Sequence, residues 1–227
     1  MFWSSEDGYY ALTKTGYIAL ALIAVIVLAL IGFMKSRKGS ENTSSKFSVS
    51  TITFAGVSIA LAFVLSYIKI IQMPWGGSVT LLSMFFIVFV GYLYGPKVGL
   101  AAGFIFGILE LIQDGGTYML TLFQVCCDYI LAFTALGVSG FFKGKKNGLV
   151  TGYIVAVIAR GIFHVIGGYI YWMDYMPENF PASLRAIYPI CYNFAYLIPE
   201  AVLTLIVISL PPVKKAIAGV RNMADKA

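Results

Sequence analysis

The chain has 227 residues, of which 59% are apolar and only 11% are charged. A soluble domain carries about 25% charged residues, so this composition excludes an ordinary water-soluble globule. Aromatic residues make up 15% of the chain, which excludes a disordered protein. We therefore predict an all-α integral membrane protein. The formal charge of +6 is interpreted as membrane topology and not as a nucleic-acid-binding surface.

The first predicted element is a membrane-spanning helix from Gly16 to Met34, a stretch without any charged residue. Basic residues follow this stretch, whereas a cleaved signal peptide has them in front of it, so we expect the helix to be retained. A polar linker, Ser36 to Ser50, comes next. We predict three parts: residues 1–45 with this helix and linker, a six-helix membrane core over 46–215, and a cytosolic tail over 216–227.

Six further apolar segments follow, separated by clusters of Gly, Pro and Asp that interrupt helices. They are Thr51 to Ile71, Leu81 to Tyr94, Val98 to Ile112, Tyr118 to Phe142, Leu149 to Trp172 and Ile187 to Leu210. With seven helices, twelve of the sixteen Lys and Arg residues lie on one side of the membrane. Because basic residues concentrate on the cytoplasmic side, we predict a multi-pass protein of the cell membrane with its N terminus outside and its C terminus in the cytosol.

Ionisable residues inside the predicted spans need a reason, because each is unfavourable in hydrocarbon by about 2.5 to 3.5 kcal/mol. They are Glu110, Asp128, Arg160, His164 and Glu200. From the predicted topology, Asp128, His164 and Asn193 lie at similar depth in the outer half of the membrane. For Glu110 and Glu200 a structural hydrogen-bonding role is favoured, and Arg160 receives no role.

Helical spacing groups these residues into three polar stripes. One stripe has His164, Gly168 and Trp172, and the other two are Thr121, Gln124 and Asp128, and Asn193, Tyr196 and Glu200. Any single stripe is typical of hydrogen bonding between helices. Three stripes at one depth, with further aromatic residues at the outer ends, favour a binding pocket. Aromatic faces stack flat rings and attract a cation, and a buried carboxylate offsets positive charge.

Other kinds of chemistry have little support in the sequence. The glycines from Gly95 to Gly107 lack the Lys-Ser/Thr of a phosphate loop and indicate close helix packing. The three cysteines have no metal-binding spacing, and no nucleophile or metal set accompanies His164 and Asp128. We expect no enzyme, no metal and no cofactor, and any use of ATP would fall to partner subunits.

Four stretches together resemble the thiamine-specific S component, the substrate-binding membrane subunit of energy-coupling factor (ECF) vitamin transporters. They are MPWGGSVTLLSMFFIV (Met73 to Val88), YGPKVGLAAGFIFGILELI (Tyr94 to Ile112), CDYILAFTALGVSGFF (Cys127 to Phe142) and FHVIGGYIYW (Phe163 to Trp172). The resemblance covers about three quarters of the chain. It implies a six-helix S-component core, here with one extra N-terminal helix, that captures thiamine or a close analogue from outside. It also implies a membrane coupling subunit and two ATPase subunits as partners.

The resemblance also implies the binding residues, which largely coincide with the polar stripes. They are Trp75, Tyr118, Asp128, His164, Gly168, Trp172, Tyr188 and Asn193. Trp75 matches a residue of the loop that covers the site. Asp128 stands where the family commonly has glutamate, so its carboxylate is one methylene shorter.

Two points stay open at this stage. Gly56 and Ala60 match the patch of small residues that contacts the coupling subunit, although packing within the chain is an alternative. The alternative function is a stand-alone proton-coupled carrier for a small cationic or aromatic solute, with Glu110, Asp128 and Glu200 as its relay.

Overall fold

The computed structural model describes residues 3–6, 9–12 and 48–226. The predicted first span, Gly16 to Met34, lies outside the described residues. Near the N terminus, two short strands, β1 (Trp3–Glu6) and β2 (Tyr9–Leu12), pair in antiparallel register. From residue 48 onward the chain is helical apart from one β-hairpin and the connecting turns.

The helices of this part of the chain confirm the predicted all-α class and its six-helix core. They are α1 (Val49–Ser66), α2 (Ser83–Tyr94), α3 (Pro96–Asp114), α4 (Leu122–Phe142), α5 (Gly148–Tyr171), α6 (Tyr188–Ser209) and α7 (Pro211–Lys226). A 3₁₀ turn, Ala182–Ile187, leads directly into α6. Helices α1, α3, α4, α5 and α6 are long and apolar enough to cross a membrane.

Local signals in the sequence explain several helix ends. The side chain of Ser48 accepts a hydrogen bond from the Thr51 N–H at 3.1 Å and so caps the start of α1. Between α2 and α3, Gly95 adopts a φ of 93°, and Pro96 follows at the first position of α3. Because glycine tolerates positive φ and proline suits a first helical turn, these two residues turn the chain sharply.

The first core segment differs from the prediction. Thr51 to Ile71 is predicted as one helix, but α1 ends at Ser66, and the chain then forms β3 (Lys69–Gln72) and β4 (Ser78–Thr80). The two strands pair as an antiparallel hairpin. Val79 and Thr80 are buried, so β4 lies inside the bundle. With only 12 residues, α2 is about 18 Å long.

Helix α4 is irregular where Asp128 lies. It begins as an α-helix, becomes a π-helix over Cys126–Leu131 and ends as a 3₁₀-helix over Ala135–Phe142. A π-turn adds one residue to a helical turn and so changes the direction of the side chains around it, which is why such turns recur at functional sites.

Glycines bring α3 against α4. A Cβ atom at Gly99 would lie 2.9 Å from the Gly137 carbonyl oxygen, and one at Gly107 would lie 2.6 Å from the Tyr129 carbonyl oxygen. A Cβ at Gly103 would meet the Phe133 carbonyl oxygen. The glycines of this run therefore allow close backbone contact, as their sequence indicates.

The segment predicted as a cytosolic tail belongs to a helix. The predicted boundary falls after Lys215, but α7 continues across it from Pro211 to Lys226. Its half-buried residues Ile217 and Val220 pack against the core, and Arg221 Nη1 donates a hydrogen bond to the Tyr92 hydroxyl at 3.1 Å. Helix α7 thus lies against the end of α2.

The two ends of the bundle differ in chemistry. Tyr92, Gly148 and Arg221 come together at the end where the lysine-rich loops lie. Trp75, Tyr118, Trp172, Tyr175 and Tyr188 belong to the opposite end, where the hairpin tip and the α5–α6 connection meet. The bundle therefore has a basic end and an aromatic end.

Candidate ligand-binding site

A cavity lies inside the bundle and reaches toward its aromatic end. All eight binding residues predicted from the sequence line it: Trp75, Tyr118, Asp128, His164, Gly168, Trp172, Tyr188 and Asn193. Glu110, Arg160 and Glu200 line the same cavity. The structure thus gathers residues from the hairpin loop and from α3 to α6 around one space.

Asp128 is the centre of a hydrogen-bond cluster in this cavity. Its Oδ2 accepts hydrogen bonds from Gln124 Nε2 at 2.6 Å and from the indole Nε1 of Trp172 at 3.1 Å. Its Oδ1 lies 3.5 Å from His164 Nδ1. The carboxylate is therefore fixed in position by Gln124 of α4, by the imidazole of His164 in α5 and by the indole of Trp172, which follows α5.

Close packing at a neighbouring glycine makes this arrangement possible. A Cβ atom at Gly167 would lie 2.7 Å from Asp128 Oδ1. The predicted glycine, Gly168, has another role, because a Cβ there would lie 2.7 Å from Pro189 Cβ and 3.4 Å from Asn193 Nδ2. Gly167 thus gives room to the carboxylate, and Gly168 lets α5 pack against α6.

Asn193 is held rigidly on the α6 side of the cavity. Its Nδ2 donates to the backbone oxygens of Pro189 at 2.9 Å and His164 at 3.3 Å, and its Oδ1 accepts from the Tyr196 hydroxyl at 2.8 Å. Both amide hydrogens are thus in use. An amide oxygen has two lone pairs, so Asn193 has one acceptor position left for a ligand.

The tip of the β3–β4 hairpin crosses the aromatic end of the cavity. The hydroxyl of Tyr192 accepts a hydrogen bond from the Trp75 N–H at 2.8 Å and donates one to the Gly76 carbonyl oxygen at 3.0 Å. Gly77 lies against the Tyr196 ring, where a Cβ atom would be 2.5 Å from Cε1. Helix α6 therefore holds this loop in place above the cavity.

The root of the same hairpin is held by Glu200. Its Oε2 accepts from the Thr80 N–H at 2.9 Å, and its Oε1 accepts from the Thr80 hydroxyl at 2.9 Å and the Ser83 hydroxyl at 3.3 Å. The side chain is 1% exposed. Glu200 satisfies polar groups that the non-helical backbone would otherwise bury without partners, as membrane proteins require.

Sequence patterns predict the site contacts of three residues only in part: Gln124, Gly167 and Tyr192. Gln124 belongs to a predicted stripe, and its bond joins it to Asp128 four residues later in α4. Tyr192 lies one residue before Asn193 and meets a loop 116 residues away in the chain. No helical spacing signals such a contact.

Gly56 and Ala60 do not line the cavity. Both are exposed on α1, and a Cβ atom at Gly56 would meet nothing within 4 Å. This exposure argues against packing within the described part of the chain as the reason for the small residues.

The fold and the cavity together define a class of protein. Apolar helices surround an internal space lined by aromatic rings, carboxylates and amide groups, an arrangement suited to holding one small polar or cationic molecule. Among the described residues, no group of three His, Cys, Asp or Glu side chains is arranged to hold a metal ion. The class is an integral membrane protein that binds a small molecule.

The family follows from comparison with known proteins. Residues 52–218 match the family model described as thiamine transporter protein (Thia_YuaJ), and the chain belongs to that family. This match confirms the resemblance to thiamine transporters, and the family is one of transporters and not of enzymes.

Individual relatives agree with this assignment. The chain is 30% identical over 181 residues to thiamine transporter ThiT of Bacillus subtilis, covering 73% of this chain and 91% of that protein. It is 30% identical over 124 residues to thiamine transporter ThiT of Lacticaseibacillus paracasei, covering 48% of this chain and 60% of that protein. The solved structure of ThiT from Listeria monocytogenes has the same fold, with a TM-score of 0.59 and 23% identity, over 71% of this chain and 92% of that chain.

Proposed function

We propose that this protein is the substrate-capture subunit, or S component, of an ECF-type importer and that it binds thiamine or a close analogue from outside the cell. The observation that carries the proposal is the fixed Asp128 carboxylate, which faces the cavity beside the rings of His164 and Trp172. Membership of the thiamine transporter family supports the choice of ligand.

The charge of the cavity favours a cation such as thiamine. Four carboxylates and two strong bases line it: Glu110, Asp114, Asp128 and Glu200 against Lys69 and Arg160. The excess of two acidic groups, if all are ionised, gives the cavity a negative formal charge. In a space shielded from water, one positive ring placed beside Asp128 would reduce this imbalance.

The aromatic walls favour flat rings. The ring centre of Tyr175 lies 5.6 Å from that of Trp75 and 5.1 Å from that of Trp172. The Tyr118 ring lies 6.3 Å from Trp172, so these rings form one continuous surface. Aromatic faces of this kind attract cations and stack on heterocycles. Trp172 orients the carboxylate and also forms part of the aromatic wall, because its N–H donates to Asp128 and its ring lines the cavity.

Hydrogen bonding would favour a ligand with a donor group on the edge that faces Asn193. The remaining lone pair of Asn193 Oδ1 accepts from a donor, and the amino group on the pyrimidine ring of thiamine is one. Tyr188 lines the same wall and would contact the same ring. This pairing would distinguish an aminopyrimidine from a ring that has only acceptors on that edge.

Capture from outside follows from the proposed orientation. The aromatic end, with the cavity mouth and the hairpin loop, lies opposite the basic end with its lysine-rich loops. By the positive-inside rule we propose that this basic end and the C terminus lie in the cytosol and that the N terminus lies outside. A ligand would therefore enter from outside, beneath Trp75.

ATP-driven transport would require partner subunits, because no nucleotide-binding motif is found in this sequence. We propose a membrane coupling subunit that contacts α1 at Gly56 and Ala60, together with two ATPase subunits. The exposure of both small residues supports such a contact, since small residues allow two helix backbones to approach closely.

The test is binding followed by reconstitution. Calorimetry on the purified full chain in detergent should show saturable thiamine binding, and absence of binding at millimolar thiamine would contradict the proposal. Liposomes that contain the chain and an ECF coupling module should take up thiamine only with internal ATP. Uptake by the chain alone under a pH gradient would instead support the carrier alternative, in which Glu110, Asp128 and Glu200 move protons.

A further inference from the structure

Arg160 is a buried arginine with an unusual partner. It lies in α5, one helical turn before His164, and its side chain is only 8% exposed. Its Nε donates a hydrogen bond to His164 Nε2 at 3.1 Å. The guanidinium carbon lies 4.2 Å from the centre of the Phe133 ring, which supports the cation from α4.

This contact determines which nitrogen of His164 carries the proton. A guanidinium is always charged and can only donate, so the nitrogen that receives its hydrogen must present a lone pair. The accepting atom is Nε2. The proton of a neutral imidazole is then on Nδ1, and Nδ1 is the atom that faces Asp128 Oδ1 at 3.5 Å.

We propose that Arg160 is a positioning residue that keeps His164 neutral and in the Nδ1–H tautomer, so that the imidazole donates to Asp128 and leaves that carboxylate its negative charge. The consequence for the ligand rests on the proposed function. The tautomer itself concerns the protein alone.

The groups packed around His164 agree with a neutral ring. Asp128 on α4 faces Nδ1, Arg160 on α5 faces Nε2, and the Tyr196 ring on α6 lies 6.1 Å from the imidazole, centre to centre. Glu110 and Glu200 line the same cavity as the guanidinium of Arg160.

The same geometry explains why the arginine does not repel a cationic ligand. Its Nε points to the imidazole, and its flat face lies on Phe133. A neutral His164 therefore separates the guanidinium from Asp128. If His164 were an imidazolium, it would pair with Asp128 itself and compete with a cationic ring for the same carboxylate.

The chain has a single histidine, which makes the proposal directly measurable. We would label the full-length protein with ¹⁵N-histidine, purify it in detergent without ligand and record imidazole ¹⁵N spectra at neutral pH. The expected result is a protonated Nδ1 and an unprotonated Nε2. A protonated Nε2, in either the other tautomer or the imidazolium, would overturn the proposal.

Arg160→Met then tests the cause, because methionine keeps much of the apolar stem and removes the donor. In this variant we expect Nε2 to become protonated as part of an imidazolium, which replaces the more distant arginine charge by a positive charge directly beside Asp128. The affinity for thiamine should then fall by at least about tenfold, because the imidazolium competes with the cationic ring for that carboxylate. An unchanged Nε2 signal would overturn the role of Arg160. Arg185→Met is the matched control, because Arg185 is exposed and does not line the cavity.

The two readouts separate this inference from the proposed function. If the wild-type spectrum shows the Nδ1–H tautomer and Arg160→Met changes it, the inference stands even where thiamine fails to bind. If thiamine binds but the spectrum shows a protonated Nε2, the proposed function stands and the inference fails. The wild-type spectrum remains a test when the variant does not fold.

Discussion

The Tyr192 hydroxyl joins α6 to the hairpin loop at Trp75 by accepting the backbone N–H of that tryptophan at 2.8 Å. The same hydroxyl donates to the next carbonyl group, that of Gly76, at 3.0 Å. The Tyr192 hydroxyl therefore acts as an acceptor for one backbone group of the loop and as a donor to a neighbouring one. A loop held at its tip in this way would cover the cavity and restrict the exit of a ligand.

Tyr192→Phe should therefore accelerate ligand release. The change removes two hydrogen bonds, each contributing about 0.5 to 1.5 kcal/mol, and keeps the ring. We expect the dissociation rate of thiamine to rise roughly 5- to 150-fold, with a smaller change in the association rate. Stopped-flow measurement of tryptophan fluorescence would report both rates, because Trp75 and Trp172 line the cavity.

Tyr169→Phe is the matched control for this experiment. The Tyr169 hydroxyl donates to the Ala186 carbonyl oxygen at 2.7 Å, and Tyr169 does not line the cavity. Its loss should leave the dissociation rate unchanged. If both variants released thiamine at the wild-type rate, Tyr192 would not hold the loop in the way its contacts indicate.

Asp128→Asn tests the charge of the site with little change in shape. A hydrogen bond or contact to a charged group contributes about 1.5 to 3 kcal/mol, so we expect thiamine affinity to fall roughly 10- to 150-fold. An uncharged isostere with thiophene in place of the thiazolium ring should lose much less. Calorimetry with both ligands measures the difference, and Asp225→Asn on exposed α7 is the control.

Equal losses for the charged and uncharged ligands would mean that Asp128 acts through its shape and hydrogen bonds and not through its charge. Asp128→Glu adds a second comparison, because it keeps the negative charge and lengthens the side chain by one methylene. The longer side chain has little room on the α5 side, because Asp128 Oδ1 already lies so close to Gly167 that a Cβ atom there would be 2.7 Å away.

Much of this site could be predicted from the sequence because helical spacing is regular. Within α5, His164 and Trp172 lie two turns apart on one face, and both line the cavity. The hairpin could not be predicted in the same way. Ile70 and Ile71 continue the apolar composition of α1, so nothing in hydrophobicity marks the change from helix to strand after Ser66.

The contacts of Glu200 and Tyr192 depend on that hairpin. Each joins α6 to a segment more than 100 residues earlier in the chain, and no local pattern encodes such a distance. The contact of Gly167 with Asp128 is also hard to predict from the sequence, although it spans a shorter stretch of the chain. Gly167 lies against Asp128, which belongs to the π-helical turn of α4, and such a turn has no reliable signature in composition.

Gly167→Ala should disturb the hydrogen-bond cluster around Asp128 directly. The new Cβ atom would lie 2.7 Å from Asp128 Oδ1, so either the carboxylate or α5 must move. Overpacking of this kind costs about 1 to 3 kcal/mol. We expect a lower unfolding temperature together with at least about a fivefold loss of thiamine affinity. Gly219→Ala is the control, because no atom lies within 4 Å of a Cβ there.

Glu200→Ala should weaken the hairpin more than the ligand contacts. The change leaves the buried Thr80 N–H without its acceptor, and a buried unsatisfied group costs about 1 to 3 kcal/mol. We expect a lower unfolding temperature in detergent, and hydrogen exchange should increase at the amides of β4. The exposed Glu178 provides the control Glu178→Ala. Unchanged exchange at β4 would show that other contacts hold the strand.

Gly56→Leu separates capture from transport. Gly56 is exposed on α1, and its Cβ position is open, so a leucine there fits the isolated protein and should leave thiamine affinity within about twofold of wild type. A bulky side chain would keep a partner helix from approaching closely, so uptake with the coupling module and ATP should be lost. Ala195→Leu, on the exposed face of α6, should retain uptake. If Gly56→Leu transported normally while Ala195→Leu did not, the coupling surface would lie on α6 and not on α1.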